Sequence, residues 1–113
     1  MNVFYSLKIN LNQKINSLLV DKILNVKTNF DSITWELEKE NTGSETHYDY
    51  IEYFLDLLEE NYVKLSEFGI NKNDISIWYL YEYEDQCNME FSPQILKRLG
   101  DNSITLCISC WQK

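Results

Sequence analysis

Proline occurs once and glycine three times in these 113 residues. That scarcity excludes a flexible Gly/Ser or Pro-rich linker and makes one domain the natural reading. The three glycines are isolated, so no glycine-rich loop can cradle a phosphate. Histidine occurs once, as His47, in a polar loop beside Tyr48. General acid–base chemistry often uses histidine, but a lone one in a polar loop reads as a surface group, and no Ser/His/Asp set can be assembled around it. No apolar run approaches the roughly 20 residues of a membrane span. The first residues, Met1-Asn-Val-Phe-Tyr-Ser-Leu-Lys, have no basic stretch followed by an apolar one, so no signal peptide is expected. Cysteine is sparse and odd in number: Cys87, Cys107 and Cys110. Without an export signal this points to reduced thiols and a cytoplasmic protein.

Positive charge is the other scarcity. The formal net charge is −8, and the imbalance is local. Residues 36 to 60 hold nine acids (Glu36, Glu38, Glu40, Glu45, Asp49, Glu52, Asp56, Glu59 and Glu60) against one base, Lys39. That window alone accounts for the whole excess. Such a field repels phosphate backbones and argues against nucleic-acid binding. It would draw in a basic protein surface and speed the encounter, or serve only as a solvated acidic face.

What is plentiful is apolar and aromatic, 44% and 14% of the chain, which argues for a packed core. Val3, Tyr5, Leu7 and Ile9 alternate with Phe4, Ser6 and Lys8, the signature of a half-buried strand. Residues 11 to 24 follow a helical period through Leu11, Ile15, Leu18, Leu19 and Ile23. A second strand runs from Ile33 to Glu40, with Ile33, Trp35 and Leu37 inward and outer acids blunting its edge. Asn41-Thr-Gly-Ser-Glu is a loop. Tyr48 to Phe68 reads as one long helix stopped by Gly69, with Ile51, Phe54, Leu55, Leu58, Tyr62 and Leu65 recurring at three and four.

Asp74 to Tyr83 is apolar on both faces and predicts a central strand. Glu84-Asp85 then turns the chain into a short return strand, Cys87 to Phe91. Ser92-Pro93 is a helix start, with a capping serine and proline in the first turn. The helix is short, Gln94 to Leu99, and is closed by Gly100. Ile104 to Trp111 is the last strand. The order β-α-β-α-β-β-α-β points to an α+β two-layer sandwich: a mixed or antiparallel sheet with helices on one face, ferredoxin-like or a related split βαβ arrangement.

The segment Asp74-Ile-Ser-Ile-Trp-Tyr-Leu-Tyr, its hairpin return, Phe91-Ser-Pro-Gln-Ile-Leu-Lys-Arg-Leu-Gly and the apolar last strand together resemble a bacterial family known as domain of unknown function 4279. The acidic helix Ile51 to Leu65 and the strand residue Trp35 stand where that family has its long helix and strand tryptophan. Leu24-Asn-Val-Lys-Thr and the Cys-Ile-Ser-Cys-Trp ending depart from the family pattern. The resemblance implies the fold and supplies no catalytic residues. In type, small acidic α+β chains also resemble immunity proteins that neutralise bacterial toxins.

Of the chemistries within reach, Cys107-Ile-Ser-Cys110 matches C-x-x-C, but a redox pair needs a helix N-terminus. Residues three apart on a strand face opposite ways. Cys87, Cys107, Cys110 and His47 could in principle make a Cys₃His zinc set; buried thiols acting as small hydrophobes are the plainer reading. Glu82, Glu84, Asp85 and Glu90 crowd one hairpin; they could meet a hard cation, serve acid–base chemistry or meet a basic partner, and a solvated hairpin is the plainer reading. Tyr48, Tyr50, Tyr53, Tyr79, Tyr81, Tyr83, Trp78 and Trp111 exceed the needs of one small core, and aromatics beside acids suit an interface; packing between helices and sheet is the plainer reading for Trp35 and Tyr79.

The expectation is a non-enzymatic, cofactor-free acidic binding protein. Its partner would be a basic protein, in the most concrete form a toxin such as a nuclease, met by Glu52, Asp56, Glu59, Glu82, Glu84 and Asp85 with Tyr81 and Tyr83. The alternatives are a small-molecule or metal-binding domain in which Cys87 and His47 meet, or a homo-oligomer pairing through a sheet face around Trp78 and Leu80.

Overall fold

The computed structural model describes residues 3–11, 16–28, 33–40, 47–86 and 88–112, excepting the side chains at 16 and 47–49. It is an α+β two-layer structure. The elements are β1 (Val3–Asn10), α1 (Asn16–Leu24), β2 (Thr34–Glu40), α2 (His47–Glu59), α3 (Tyr62–Glu67), β3 (Ile75–Tyr83), α4 (Pro93–Asn102) and β4 (Thr105–Gln112), with a single 3₁₀ turn at Lys72–Asp74 leading into β3. The strands form one sheet in the order β2-β1-β3-β4. β1 is antiparallel to both β2 and β3, whereas β4 runs parallel to β3.

Alternation explains why these segments are strands and where the core lies. The register aligns Tyr5 with Tyr79, Leu7 with Leu37 and Ile77, and Ile9 with Trp35 and Ile75. These side chains are buried and belong to one face. The helices supply Val20, Leu24, Ile51, Phe54, Leu55, Leu58, Leu65, Ile95 and Leu99 to the same core. Burying one such side chain is worth roughly 1.5–3 kcal/mol relative to leaving it in water, so this face organises the domain.

Two contacts fix the helices to it. Tyr50 of α2 stacks on Tyr5 of β1 at 4.3 Å between ring centroids, and Tyr5 stacks on Tyr79 of β3 at 4.8 Å. Asp21 of α1 accepts the indole N–H of the fully buried Trp35 at 2.7 Å and the Thr28 hydroxyl at 2.9 Å.

The C-terminal ends of α1, α3 and α4 share one device. Val26, Ile70 and Ile104 each donate their N–H five residues back, to the carbonyls of Asp21, Leu65 and Leu99. The residues just before them, Asn25, Gly69 and Ser103, take positive φ (55°, 81° and 57°). This left-handed stop satisfies otherwise unpaired helix carbonyls and drops an apolar residue back into the core; Ile70 and Ile104 are both buried.

Four expectations are corrected. The long helix from Tyr48 to Phe68 is two helices, broken where the Asn61 amide donates to the Leu57 carbonyl at 2.7 Å and its N–H to Leu58 at 2.9 Å. A side chain that competes for the backbone in this way ends a helix that apolar periodicity alone would continue. Residues 88–91 form no strand, and Cys87 lies outside the described residues; instead Met89 and Phe91 pack on the core, with Phe91 edge-on to Tyr79. α4 runs through Gly100 to Asn102 and stops at Ser103. Ile33 is 59% exposed instead of inward. The predicted helix start at residues 12–15 and the 41–45 loop lie outside the described residues.

Ser92 caps α4 as expected, accepting from the Ile95 N–H at 3.2 Å. β3 is central, flanked by β1 and β4. Because β4 sits directly beside β3, the β3-α4-β4 crossover encloses no further strand.

Candidate interaction surface

The alternate residues of the same strands face away from the helices. Across that face the register lines up Glu40, Phe4, Leu80 and Ser109 in one row. The next row is Glu38, Ser6, Trp78 and Cys107, followed by Glu36, Lys8, Ser76 and Thr105. Glu82 and Trp111 pair at the far end. No described helix packs here.

The result is an apolar centre of Phe4, Trp78, Leu80 and Trp111, edged by Glu36, Glu38 and Glu40 along β2 and by Glu82 at the end of β3. Polar contacts hold the centre in place. The Trp78 indole N–H donates to the Ser76 hydroxyl at 2.9 Å, and the Lys8 ammonium sits 4.3 Å above the Trp78 ring. The Ser6 hydroxyl donates to Glu36 at 2.7 Å, and the Trp111 indole N–H donates to Glu82 at 3.2 Å. Two tryptophans with their N–H groups already satisfied, set within carboxylates, form a preorganised amphipathic platform.

The residues expected to meet a partner do not share one surface. Glu52, Asp56 and Glu59 lie exposed on α2, and two of them are engaged within the chain. Arg98 of α4 forms ion pairs with Asp56 and, at 2.9 Å, with Glu59. Its Nε also donates to Glu59 at 3.2 Å. Asn102 donates to Glu59 at 2.9 Å and accepts from the Tyr62 hydroxyl at 2.7 Å. The hydrogen bond from Arg98, then that from Asn102, holds the Glu59 carboxyl below the usual carboxylate range. Burial, reinforced by the Glu59 charge, pushes the Tyr62 phenol up to about 12.

Glu82 belongs to the open face. Glu84 and Asp85 are exposed in the bend after β3. By alternation Tyr81 and Tyr83 belong to the helix-side face, and Tyr81 packs edge-on to Tyr79 at 5.7 Å. Trp35 and Tyr79 are core residues, as expected. Cys107 lies on the open face opposite Trp78, and Cys110 on the helix side opposite Tyr81, so their thiols point apart.

Among the described residues no three His, Cys, Asp or Glu side chains come together as a metal site; Cys87 and the His47 side chain lie outside them. A shallow depression of about 170 Å³ is lined by Tyr62, Ser66, Ile70, Asn71 and Lys72. No helix among the described residues is long and apolar enough to cross a membrane. The roles of Phe4 and of the β2 acids as its companions became visible only through strand order. In the sequence each is merely the outward half of an alternation.

No protein family, curated protein or solved structure matches the chain.

Proposed function

We propose that this chain is a non-enzymatic binding protein that docks a basic protein partner on the open face of its sheet, and that it acts as an immunity protein neutralising a basic bacterial toxin. The observation that carries the reading is the composition of that face: an apolar centre anchored by Trp78 and Trp111, with Glu36, Glu38, Glu40 and Glu82 around it. Interfaces concentrate their energy in a few aromatic anchors, with polar groups at the rim. A rim of one charge sign selects the opposite sign and accelerates its approach. The exposed acids of α2 add to the long-range field, although Asp56 and Glu59 are already committed to Arg98. A partner such as a nuclease, which must itself be basic to hold nucleic acid, has the matching charge.

The test is capture from the native cell with tagged protein, at low and high salt, using the natural chain, Trp78→Ala and a Glu36→Lys/Glu38→Lys pair. The expected result is a basic partner lost at high salt and lost to both variants. That partner should arrest growth when expressed alone and be silenced by co-expression of the natural chain. Capture unaffected by either variant removes the open face from the reading, and a captured partner that is harmless when expressed removes the immunity role.

A further inference from the structure

The open face sets Glu36, Glu38 and Glu40 of β2 against a single cation. By alternation Lys8 is the only basic residue among the described outward-facing residues of the four strands. In the register it stands directly opposite Glu36. The ion pairs among the described residues are those of Lys97 and Arg98 in the helix layer, so none joins Lys8 to Glu36. The Lys8 ammonium lies instead over the Trp78 ring, 4.3 Å from its centroid. That ring is set for a cation. Its N–H is tied to the Ser76 hydroxyl at 2.9 Å, which fixes its tilt, and the negative face of an indole attracts positive charge. Glu36 reaches over Ser6, the residue directly opposite Trp78, and accepts from its hydroxyl at 2.7 Å. Ser6 is fully buried, so carboxylate and indole border one closed spot. A carboxylate can accept about four hydrogen bonds, so Glu36 keeps acceptor capacity beside the ring.

We propose, on the docking reading above, that the Trp78 ring is the seat of an arginine side chain of the basic partner, and that Lys8 is the stand-in which holds it in the unbound chain. The guanidinium replaces the ammonium, stacks on the indole and donates to Glu36. Charge selects a cation, because the three carboxylates of β2 make no ion pair among the described residues. The pairing of an aromatic face with a neighbouring carboxylate selects arginine over lysine. A guanidinium is planar and weakly hydrated, stacks on aromatic rings and forks onto carboxylates, whereas an ammonium is a compact, strongly hydrated point charge. A partner lysine entering the seat would exchange one ammonium for another and gain nothing.

Lys8 is placed to leave. It is partly exposed, its stem is flexible, and an ammonium over a ring at the surface is weakly held. Once displaced, its charge returns to water among the acids of β2. Lys8 thus shields an apolar ring while the chain is unbound and yields it to a better cation.

The experiment titrates the isotope-labelled chain with tetra-arginine and tetra-lysine peptides of equal charge and follows its NMR signals, above all the indole N–H signals of Trp35, Trp78 and Trp111. Trp78→Leu assigns the Trp78 signal and Lys8→Met vacates the seat, with circular dichroism as the folding control. Tetra-arginine is expected to move the Trp78 signal and to bind roughly two- to fivefold tighter than tetra-lysine, which should leave that signal in place. In Lys8→Met, tetra-lysine should move it too. In Trp78→Leu the preference for arginine should vanish while salt-sensitive binding of both peptides remains. Equal affinities on the natural chain overturn the proposal, and that comparison needs no variant to fold. So does a Trp78 signal that tetra-arginine leaves unmoved, and a signal that tetra-lysine still leaves unmoved in Lys8→Met overturns the part given to Lys8. Shifts gathered elsewhere on the open face, at Leu80 and Trp111, would then retain the docking face without the seat. Shifts confined to α2 or to the bend after β3 would remove the docking face as well.

Discussion

Ile77 and Trp78 are neighbours in β3 and end in opposite surroundings. Ile77 is fully buried beneath the helices, aligned with Leu7 and Leu106. Trp78, the larger side chain, stands partly buried on a face with no described helix over it, beneath the ammonium of Lys8. The same strands thus make two surfaces, one covered by helices and one with no described helix over it. Burial of an Ile is ordinary. A platform of two tryptophans, a phenylalanine and a leucine on the second face, with Trp111 38% exposed, is the observation on which the docking proposal rests.

The comparison is broken most severely at Ile77. Ile77→Ala removes buried volume that the surrounding Leu and Tyr side chains cannot refill, and is expected to cost about 2–5 kcal/mol. Trp78→Ala, one residue on, is expected to cost less, about 1–2 kcal/mol, from the packing of a partly exposed ring and its contact with Lys8. Urea denaturation of the two variants measures both. Equal losses would mean that the open face is as much a part of the folding core as the closed one, and the docking argument would fall with that distinction.

A smaller effect is expected at the margin of the closed face. Asp21→Ala leaves the indole N–H of Trp35 buried without its acceptor, for about 1–3 kcal/mol. In a double-mutant cycle with Trp35→Phe the losses should be less than additive, because the second change removes the donor that the first one orphans. Strict additivity would show that the 2.7 Å contact contributes nothing by itself.

These residues also mark what could be read without coordinates. Alternation made β1 and β2 legible and apolar runs made β3 and β4 so, since both are local properties, and Ser92-Pro93 announced α4 for an equally local reason. The break at Asn61 was not legible: the apolar period runs through it, and only a side-chain amide turned onto its own helix betrays it. Nor was the stop at Ser103, where a serine takes the left-handed conformation that a nearby glycine would suit better. Nor was the role of Asp21 legible, because its partner, Trp35, lies 14 residues away in another element. The open face itself is non-local. Phe4, Trp78 and Trp111 are brought together by strand order, and strand order depends on which edges pair, a choice that no single segment states.

The smallest expected effect concerns the helix layer that closes the inner face. Arg98 ties α4 to α2 through Asp56 and Glu59. Arg98→Met keeps an apolar stem and removes the charge. For partly exposed pairs of this kind the loss should be about 1 kcal/mol or less. Its pH dependence is the sharper signature. Glu59 is held below its ordinary value of 4.5 in the folded chain, so the folded state gives up that proton more readily than the unfolded one. The stabilisation is then complete above about pH 4.5 and disappears as the pH falls through the lower folded value. The difference in stability between the natural chain and Arg98→Met should therefore be constant from neutrality down to the ordinary carboxylate range and shrink as the pH falls below it. A difference that persists undiminished in acid would show that the pairing of Arg98 with Glu59 is not its source. The hydrogen bond from Asn102 to Glu59 and the apolar contacts would then be what joins the two helices.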